Sequence, residues 1–208
     1  MNRTKKRVIL LLAVVAVILW GAILFLLMKG RNLSYGQTAI VETPDRMQST
    51  ENPLFVKEVY EPVIPEGTNI AADARMTANG FNDVYTPMKV NDGRTSGPSY
   101  WEGENGAYPN ILTATFKEAH TIHAIKVCLC PQSIWNTRVQ TFSVQISGDG
   151  ENYTELVPSR DYEFNPDTAN EIVIDFDEVS CKAVQLVFTK NTGANAAQVA
   201  EFEIYSKE

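Results

Sequence analysis

Hydrophobic and polar positions divide the chain into three stretches of different rhythm. The first is an uncharged run from Val8 to Met28, VILLLAVVAVILWGAILFLLM, with no Asn, Gln or Pro. No polar face interrupts it, so it is not the stripe of an amphipathic helix in a soluble core. At about 1.5 Å per residue, twenty-one helical residues span roughly 30 Å, the thickness of a bilayer core. The apolar core of a cleaved signal peptide is shorter, about 7–15 residues, and ends at small residues. Leu26-Leu27-Met28-Lys29 lacks that small-x-small pattern. The run is therefore expected to stay as a transmembrane helix over 8–28, behind a basic tail over 1–7.

The second stretch, 29–68, shows no sustained periodicity. It holds Pro44, Pro53, Pro62 and Pro65, and reads as an extracytoplasmic linker. A flexible coil of 37 residues (32–68) spans on the order of 35 Å, and Pro-rich chain reaches further.

From Asn69 to the end, short alternating runs recur between turn signals. Ile111–Phe116 and Ile122–Cys130 are two such runs. Phe142, Val144 and Ile146 share one face of a strand, and Ser143, Gln145 and Ser147 the other. Gly148-Asp149-Gly150 follows as a tight hairpin turn. Ile172, Ile174 and Phe176 alternate, as do Val184, Leu186 and Phe188. Val199–Tyr205 places Ala200, Phe202 and Ile204 on one face. No amphipathic helix interrupts the series. The pattern predicts an all-β sandwich over 69–208.

Charge orients the anchor and narrows the partners. Arg3, Lys5, Lys6 and Arg7 precede the apolar run, whereas only Lys29 and Arg31 follow it closely. The more basic side stays cytoplasmic, which sends the C-terminal domain outside the cell membrane. Of 18 basic residues, those six lie in 1–31, leaving 12 against 25 acids, a net charge of −13 for 32–208. So acidic a surface excludes nucleic acid, whose binding rests on cations at phosphate. It equally disfavours anionic lipid head groups.

Chemistry-bearing residues are sparse. Cys128, Cys130 and Cys181 are an odd number, so at least one thiol stays unpaired. Either Cys181 bridges one of the other two, or all three are buried thiols packed as small hydrophobes. His120 and His123 are three apart on a strand and face opposite sides, which argues against a shared metal. Glu201 and Glu203 imitate a glycosidase dyad only in type. No nucleophile–base order, phosphate loop or Cys–His pair is present. A non-catalytic protein is expected.

Four motifs in order resemble a known family, the discoidin or coagulation factor 5/8 type C domain. They are Asn69-Ile70-Ala71; Val90-Asn91-Asp92-Gly93 followed by Ser99-Tyr100-Trp101; Val144-Gln-Ile-Ser-Gly-Asp-Gly150; and Ala200-Glu-Phe-Glu-Ile-Tyr205. Tyr100-Trp-Glu-Gly103, Tyr108-Pro-Asn110, Ser133 to Thr141 and Asn191-Thr-Gly193 are similar to bacterial carbohydrate-binding modules of secreted glycoside hydrolases. The resemblance implies a galactose-binding-like jelly roll whose ligand sits in loops at one end.

It further implies two sites. A structural Ca2+ would be held by the Lys89 and Arg94 carbonyls, Asp92, Ser99 or Thr95, and Glu201. Calcium favours six to eight oxygens, with backbone carbonyls beside one or two carboxylates. The loop departs from the family pattern, because Arg94 stands where a second Asp is usual and Arg94–Pro98 lengthen it. A glycan site would use Trp135 as an aromatic platform for a pyranose face, with Arg138, Glu102, Asn136, Asn191 and Gln198 meeting its hydroxyls. Trp101 is expected in the core. These readings lead to a membrane-anchored module that binds cell-surface, cell-wall or external polysaccharide. The alternative is an ectodomain that scaffolds an envelope protein partner, since fold alone does not fix function.

Overall fold

A computed structural model describes residues 3–31 and 60–207. Of the linker read over 29–68, residues 32–59 lie outside the described residues, 29–31 continue the helix, and the chain from Tyr60 onward belongs with the sandwich. The chain divides into two units, 1–58 and 59–208.

In the first unit, Arg3–Arg31 forms one helix, α1. Its Lys5–Phe25 portion has a mean hydropathy of 3.1 and is long and apolar enough to cross a membrane. Leu-rich sequence without proline favours that conformation. A helix also satisfies its own backbone groups, as lipid requires.

The second unit is built from nine strands: β1 (Thr68–Asn69), β2 (Arg75–Ala78), β3 (Trp101–Glu102), β4 (Asn110–Cys128), β5 (Arg138–Ser147), β6 (Thr154–Phe164), β7 (Glu171–Asn191), β8 (Gln198–Val199) and β9 (Glu201–Ser206). All pairings are antiparallel. Two long strands serve both layers of the sandwich. The first half of β4 pairs with β2 and with the second half of β7, which continues through β5 to β6. The second half of β4 lies between the first half of β7 and β9, and β1 edges β9. The ladder is irregular between Thr115 and His120 and between Ile122 and Ala124, where β4 passes from one layer to the other.

This crossing explains a difference from the alternation pattern. Ile111–Phe116 and the run from Ile122 to Cys128 are one strand, which ends two residues before the expected Cys130, and the runs at Ile172–Phe176 and Val184–Phe188 are likewise one strand. Between the apolar runs, Lys117, Glu118 and Ala119 are exposed, so hydropathy breaks while backbone pairing resumes. The inner faces meet in one core containing Leu112, Phe142, Leu186 and Phe188 from one layer and Ile125, Val127, Phe202 and Ile204 from the other. Trp101 is fully buried, as expected, and its indole N–H donates to the Gly80 carbonyl at 3.1 Å. Burial of such residues, at about 25 cal/mol per Å² of apolar surface, is the main driving force for the sandwich.

At the β5–β6 turn, Asp149 accepts hydrogen bonds from Ser147 Oγ and from the Glu151 and Asn152 amides, all at 2.8 Å. Gly150 takes φ +86°, a conformation that side chains disfavour. All three cysteines are free and buried, so no bridge links Cys181 to its neighbours.

The folded unit includes chain ahead of β1. Tyr60 Oη and the Val63 amide both donate to Glu171 Oε1, at 3.0 and 3.1 Å. Lys126 Nζ donates to the Val63 carbonyl at 3.0 Å and pairs with Glu171 at 2.7 Å.

Candidate functional site

Register places the first elements of the site. β3 pairs with β8 so that Glu102 faces Gln198. Gln140 of β5 grips the Gln198 backbone from both sides, accepting from its amide and donating to its carbonyl at 2.8 Å each. Arg138 opens β5. Its Nη1 donates to Gln198 Oε1 at 2.6 Å, and Gln198 Nε2 donates to Glu102 Oε2 at 2.8 Å. Asn82 Nδ2 completes the line by donating to Glu102 Oε1 at 2.8 Å.

The guanidinium also folds back on its own loop. Arg138 Nε donates to the Asn136 carbonyl at 3.1 Å, and Nη2 to Asn136 Oδ1 at 3.2 Å. Its plane sits over the Trp135 ring, 5.0 Å from the centroid, a cation–π arrangement. Arg138 is therefore a buried keystone that holds the loop, where its residue type alone suggested an open sugar contact.

Trp135 heads an aromatic row. Tyr100 meets its ring edge-on at 4.8 Å, and Tyr85 stacks on Tyr100 at 4.2 Å. The Trp135 loop is secured from beneath. Buried Asn170 donates through Nδ2 to the Cys130 carbonyl at 2.8 Å and to the Trp135 carbonyl at 2.9 Å. Ile134, beside Trp135, is 80 % exposed.

Five of the six anticipated residues (Trp135, Asn136, Arg138, Gln198 and Glu102) thus form one continuous network. Asn191 has a different task. Its Nδ2 donates to the Ala196 carbonyl at 2.8 Å, and its Oδ1 accepts from the Gly193 amide at 2.9 Å, closing the loop between β7 and β8. That loop lies against Arg138: a Cβ on Gly193 would stand 2.7 Å from Arg138 Nε. Asn82, Tyr85 and Asn170 were not foreseen, and Tyr100, Gln140 and Gly193 stood only within the family motifs, with no role of their own. Their partners lie up to 58 residues away, as for Gln140 with Gln198, and no local spacing reveals such pairs.

The second predicted set gathers around the turn at Gly93. Asp92 Oδ1 accepts from the Arg94 amide at 2.9 Å, and its Oδ2 accepts a short bond from Ser99 Oγ. Glu201 Oε1 accepts from the Gly93 amide at 3.2 Å. Glu201 is 5 % exposed, and its Oε2 is buried without a partner among the described residues. Burial pushes its carboxyl up to about 8, with the Asp92 and Glu203 charges adding to the rise and the Gly93 and Arg94 amides opposing it. A buried carboxylate oxygen without a partner, beside the Asp92 carboxylate, fits a hard divalent cation, while the groups of the turn that face the two carboxylates here are the Gly93 and Arg94 amides. Lys89 contributes its side chain elsewhere, donating from Nζ to the Pro98 carbonyl at 3.0 Å across the loop. Among the described residues, no three His, Cys, Asp or Glu side chains cluster as metal ligands. Thr95 makes no described contact with the set.

The architecture is shared with known modules. A family 32 carbohydrate-binding module of NanJ from Clostridium perfringens, solved with galactose, superposes with a TM-score of 0.55 at 18% identity, covering 65% of this chain and 96% of that one. A second C. perfringens module, solved with GalNAc-β-1,3-galactose, gives 0.56 at 16% identity over 65% and 97%. A chitosan-binding module of a Paenibacillus sp. IK-5 chitosanase/glucanase gives 0.53 at 19% identity over 67% and 99%. At these identities the likeness shows the fold. No curated protein sequence matches the chain significantly. The family model described as F5/8 type C domain matches residues 74–202, from just before β2 into β9. That match spans more than half of the chain and includes the turn at Asp92-Gly93, the β5–β6 hairpin and the start of the closing strand, so the chain belongs to the F5/8 type C domain family.

Proposed function

We propose that this protein is a non-catalytic carbohydrate-binding module held at the cell membrane by α1, with its β-sandwich outside. The carrying observation is the chain of Arg138, Gln198 and Glu102, joined by hydrogen bonds of 2.6 and 2.8 Å, with the half-buried Trp135 ring 5.0 Å from the Arg138 guanidinium. A pyranose presents an apolar C–H face to an indole and hydroxyls at its rim. Trp135 supplies the platform. Asn136 and Glu102 present acceptor lone pairs beside it, in orientations set by Arg138 and Gln198. Two neighbours of the same fold were solved with galactose-containing saccharides, which supports the reading. A shallow site of this kind gives modest affinity, because polar desolvation opposes few contacts.

In this reading, the basic residues at 3–7 keep the N-terminus cytoplasmic. The segment between α1 and Tyr60 tethers the domain, so that the module joins the membrane to wall or external polysaccharide. A Ca2+ ion bound by Asp92 and Glu201, with carbonyls of the 89–94 turn and Ser99, would tie an early loop to the last strand. Its role would be structural.

The test is saccharide binding by the full chain in lipid nanodiscs with calcium present, by glycan array and calorimetry. Specific saccharide binding that Trp135→Ala abolishes, with the fold retained, is expected. Complete absence of saccharide binding overturns the reading. A second reading, a scaffold for a protein partner, is favoured by one observation. Phe81, Val84, Met88 and Ile134, on the loops that carry the site, are 49–80 % exposed. Exposed apolar clusters mark protein interaction surfaces. Retention of a protein partner by the wild type, its loss in Ile134→Asp, and no saccharide binding would establish that alternative.

A further inference from the structure

The loop between β7 and β8 has two sides. One rests on Arg138 through Gly193. Another part of it faces a cleft of about 420 Å³, lined in part by Asn105, Tyr108, Thr189, Lys190, Ala194 and Asn195. The volume suits one sugar ring. The opposite wall is the turn over 104–107, tied to this loop by the Gly106 amide donating to the Asn195 carbonyl at 2.9 Å. The cleft is therefore braced by backbone.

Its chemistry differs from the rest of the domain. Asparagine side chains at 79, 82, 91, 110, 136, 152, 165, 170 and 191 are engaged in internal hydrogen bonds. The Asn105 and Asn195 amides have no partner among the described residues, and both line this cleft. Tyr108 also lines it, and its hydroxyl is buried without a partner. Such a group is an unmet hydrogen bond, which proteins seldom leave without a reason. Lys190 makes no ion pair among the described residues. No carboxylate is among the described residues that line the cleft, although residues 32–208 carry a net charge of −13; Glu104, in the turn that forms its wall, has its side chain beside Gly80. The nearest acid in register is Asp161, opposite Thr141 and bonded to its hydroxyl, while Thr141 also pairs with Lys190.

An unpaired ammonium, two free amides and an aromatic ring complement a sugar ring that carries a carboxylate. We propose that this cleft is a second saccharide subsite, which takes a uronic-acid unit of the same glycan chain that rests on Trp135. The inference depends on the glycan reading above. It makes the preferred ligand an acidic or mixed polysaccharide, selected locally against the overall negative charge of the domain.

Calorimetry of the full chain in zwitterionic nanodiscs, at one fixed calcium concentration, tests it with a galacturonate tetramer and a neutral galactose tetramer. The acidic tetramer is expected to bind about tenfold more tightly at low ionic strength, with the preference shrinking in salt. Lys190→Gln should remove most of that preference and leave the neutral tetramer unaffected. The side-chain amide NMR signals of Asn105 and Asn195 should shift only on adding the acidic tetramer. If Trp135→Ala abolishes binding while Lys190→Gln keeps the preference for the acidic tetramer and the two amide signals do not shift, the subsite is overturned and the Trp135 site stands. If neither tetramer nor any other saccharide binds, the glycan reading falls and takes the subsite with it.

Discussion

Arg138 Nη1 lies 2.6 Å from Gln198 Oε1, and each residue is only 7 % exposed. The pair joins β5 to β8 and fixes the loop below Trp135. Replacing Arg138 with alanine leaves buried Gln198 Oε1 without its donor, an orphaned group that costs about 1–3 kcal/mol, whereas the carbonyl of exposed Asn136 can turn to water. Arg138→Ala should therefore lower urea-unfolding stability measurably as well as weaken saccharide binding. Lysine should not rescue it, because a single ammonium cannot reproduce the guanidinium fork. Trp135→Ala, at a half-buried position, should abolish binding with a smaller loss of stability.

The ion pair of Lys126 and Glu171 sits under residues 60–63, at 2.7 Å, with side chains 6 % and 8 % exposed. Removing one partner strands a buried charge. Glu171→Leu should destabilise the domain by about 3–5 kcal/mol in chemical denaturation. Lys126→Met in the same chain should recover much of the loss, since a well-packed apolar pair avoids the desolvation penalty. Tyr60→Phe should cost about 1 kcal/mol or less, being a single partly exposed hydrogen bond.

Glu201 makes stability depend on pH. Burial pushes its carboxyl up to about 8 in the folded state, against an ordinary value of 4.5. The folded state thus holds this proton more tightly than the unfolded chain. Its stabilising contribution is complete below about 4.5 and is lost as pH rises through 8. In chelator, the thermal midpoint should fall across that window, by about 2–4 °C per kcal/mol for a domain near this size. Bound calcium should replace the proton and flatten the fall. Glu201→Gln should remove both the pH dependence and the calcium response, as read by calorimetric scans with and without the ion.

The thiols at Cys128, Cys130 and Cys181 are buried and unbridged. Burial holds the Cys181 thiol up at about 11 and raises Cys128 further. Thiolate is the reactive form. A thiol reagent at pH 8 should leave the native domain unmodified and label all three cysteines after denaturation. Labelling of only one cysteine in denaturant without reductant would reveal a bridge.

Much of the fold could be read along the chain because strand burial has a period of two. Phe142/Val144, Leu186/Phe188 and Phe202/Ile204 alternate plainly, and each pair is buried as its parity requires. The Asp149–Gly150 turn was equally legible, since a turn's chemistry is local. Strand continuity was not. The layer crossing exposes Lys117–Ala119, so a single strand reads as two.

The site divides along the same line. Residue types in the loops, together with the family motifs, picked out Trp135, Arg138, Glu102 and Gln198, because a sugar face and its hydroxyls call for those groups. That Arg138 is spent internally, and that Asn191 braces a loop, depends on partners set by β3–β8 and β5–β7 pairing. The sequence by itself determined a long apolar N-terminal span, an acidic remainder and an alternating β pattern, since each rests on composition or on neighbours within a few residues. Only the tertiary structure decided which polar groups are consumed in the network and which are left free at the Lys190 cleft. A side chain's availability depends on what the fold brings against it from distant parts of the chain.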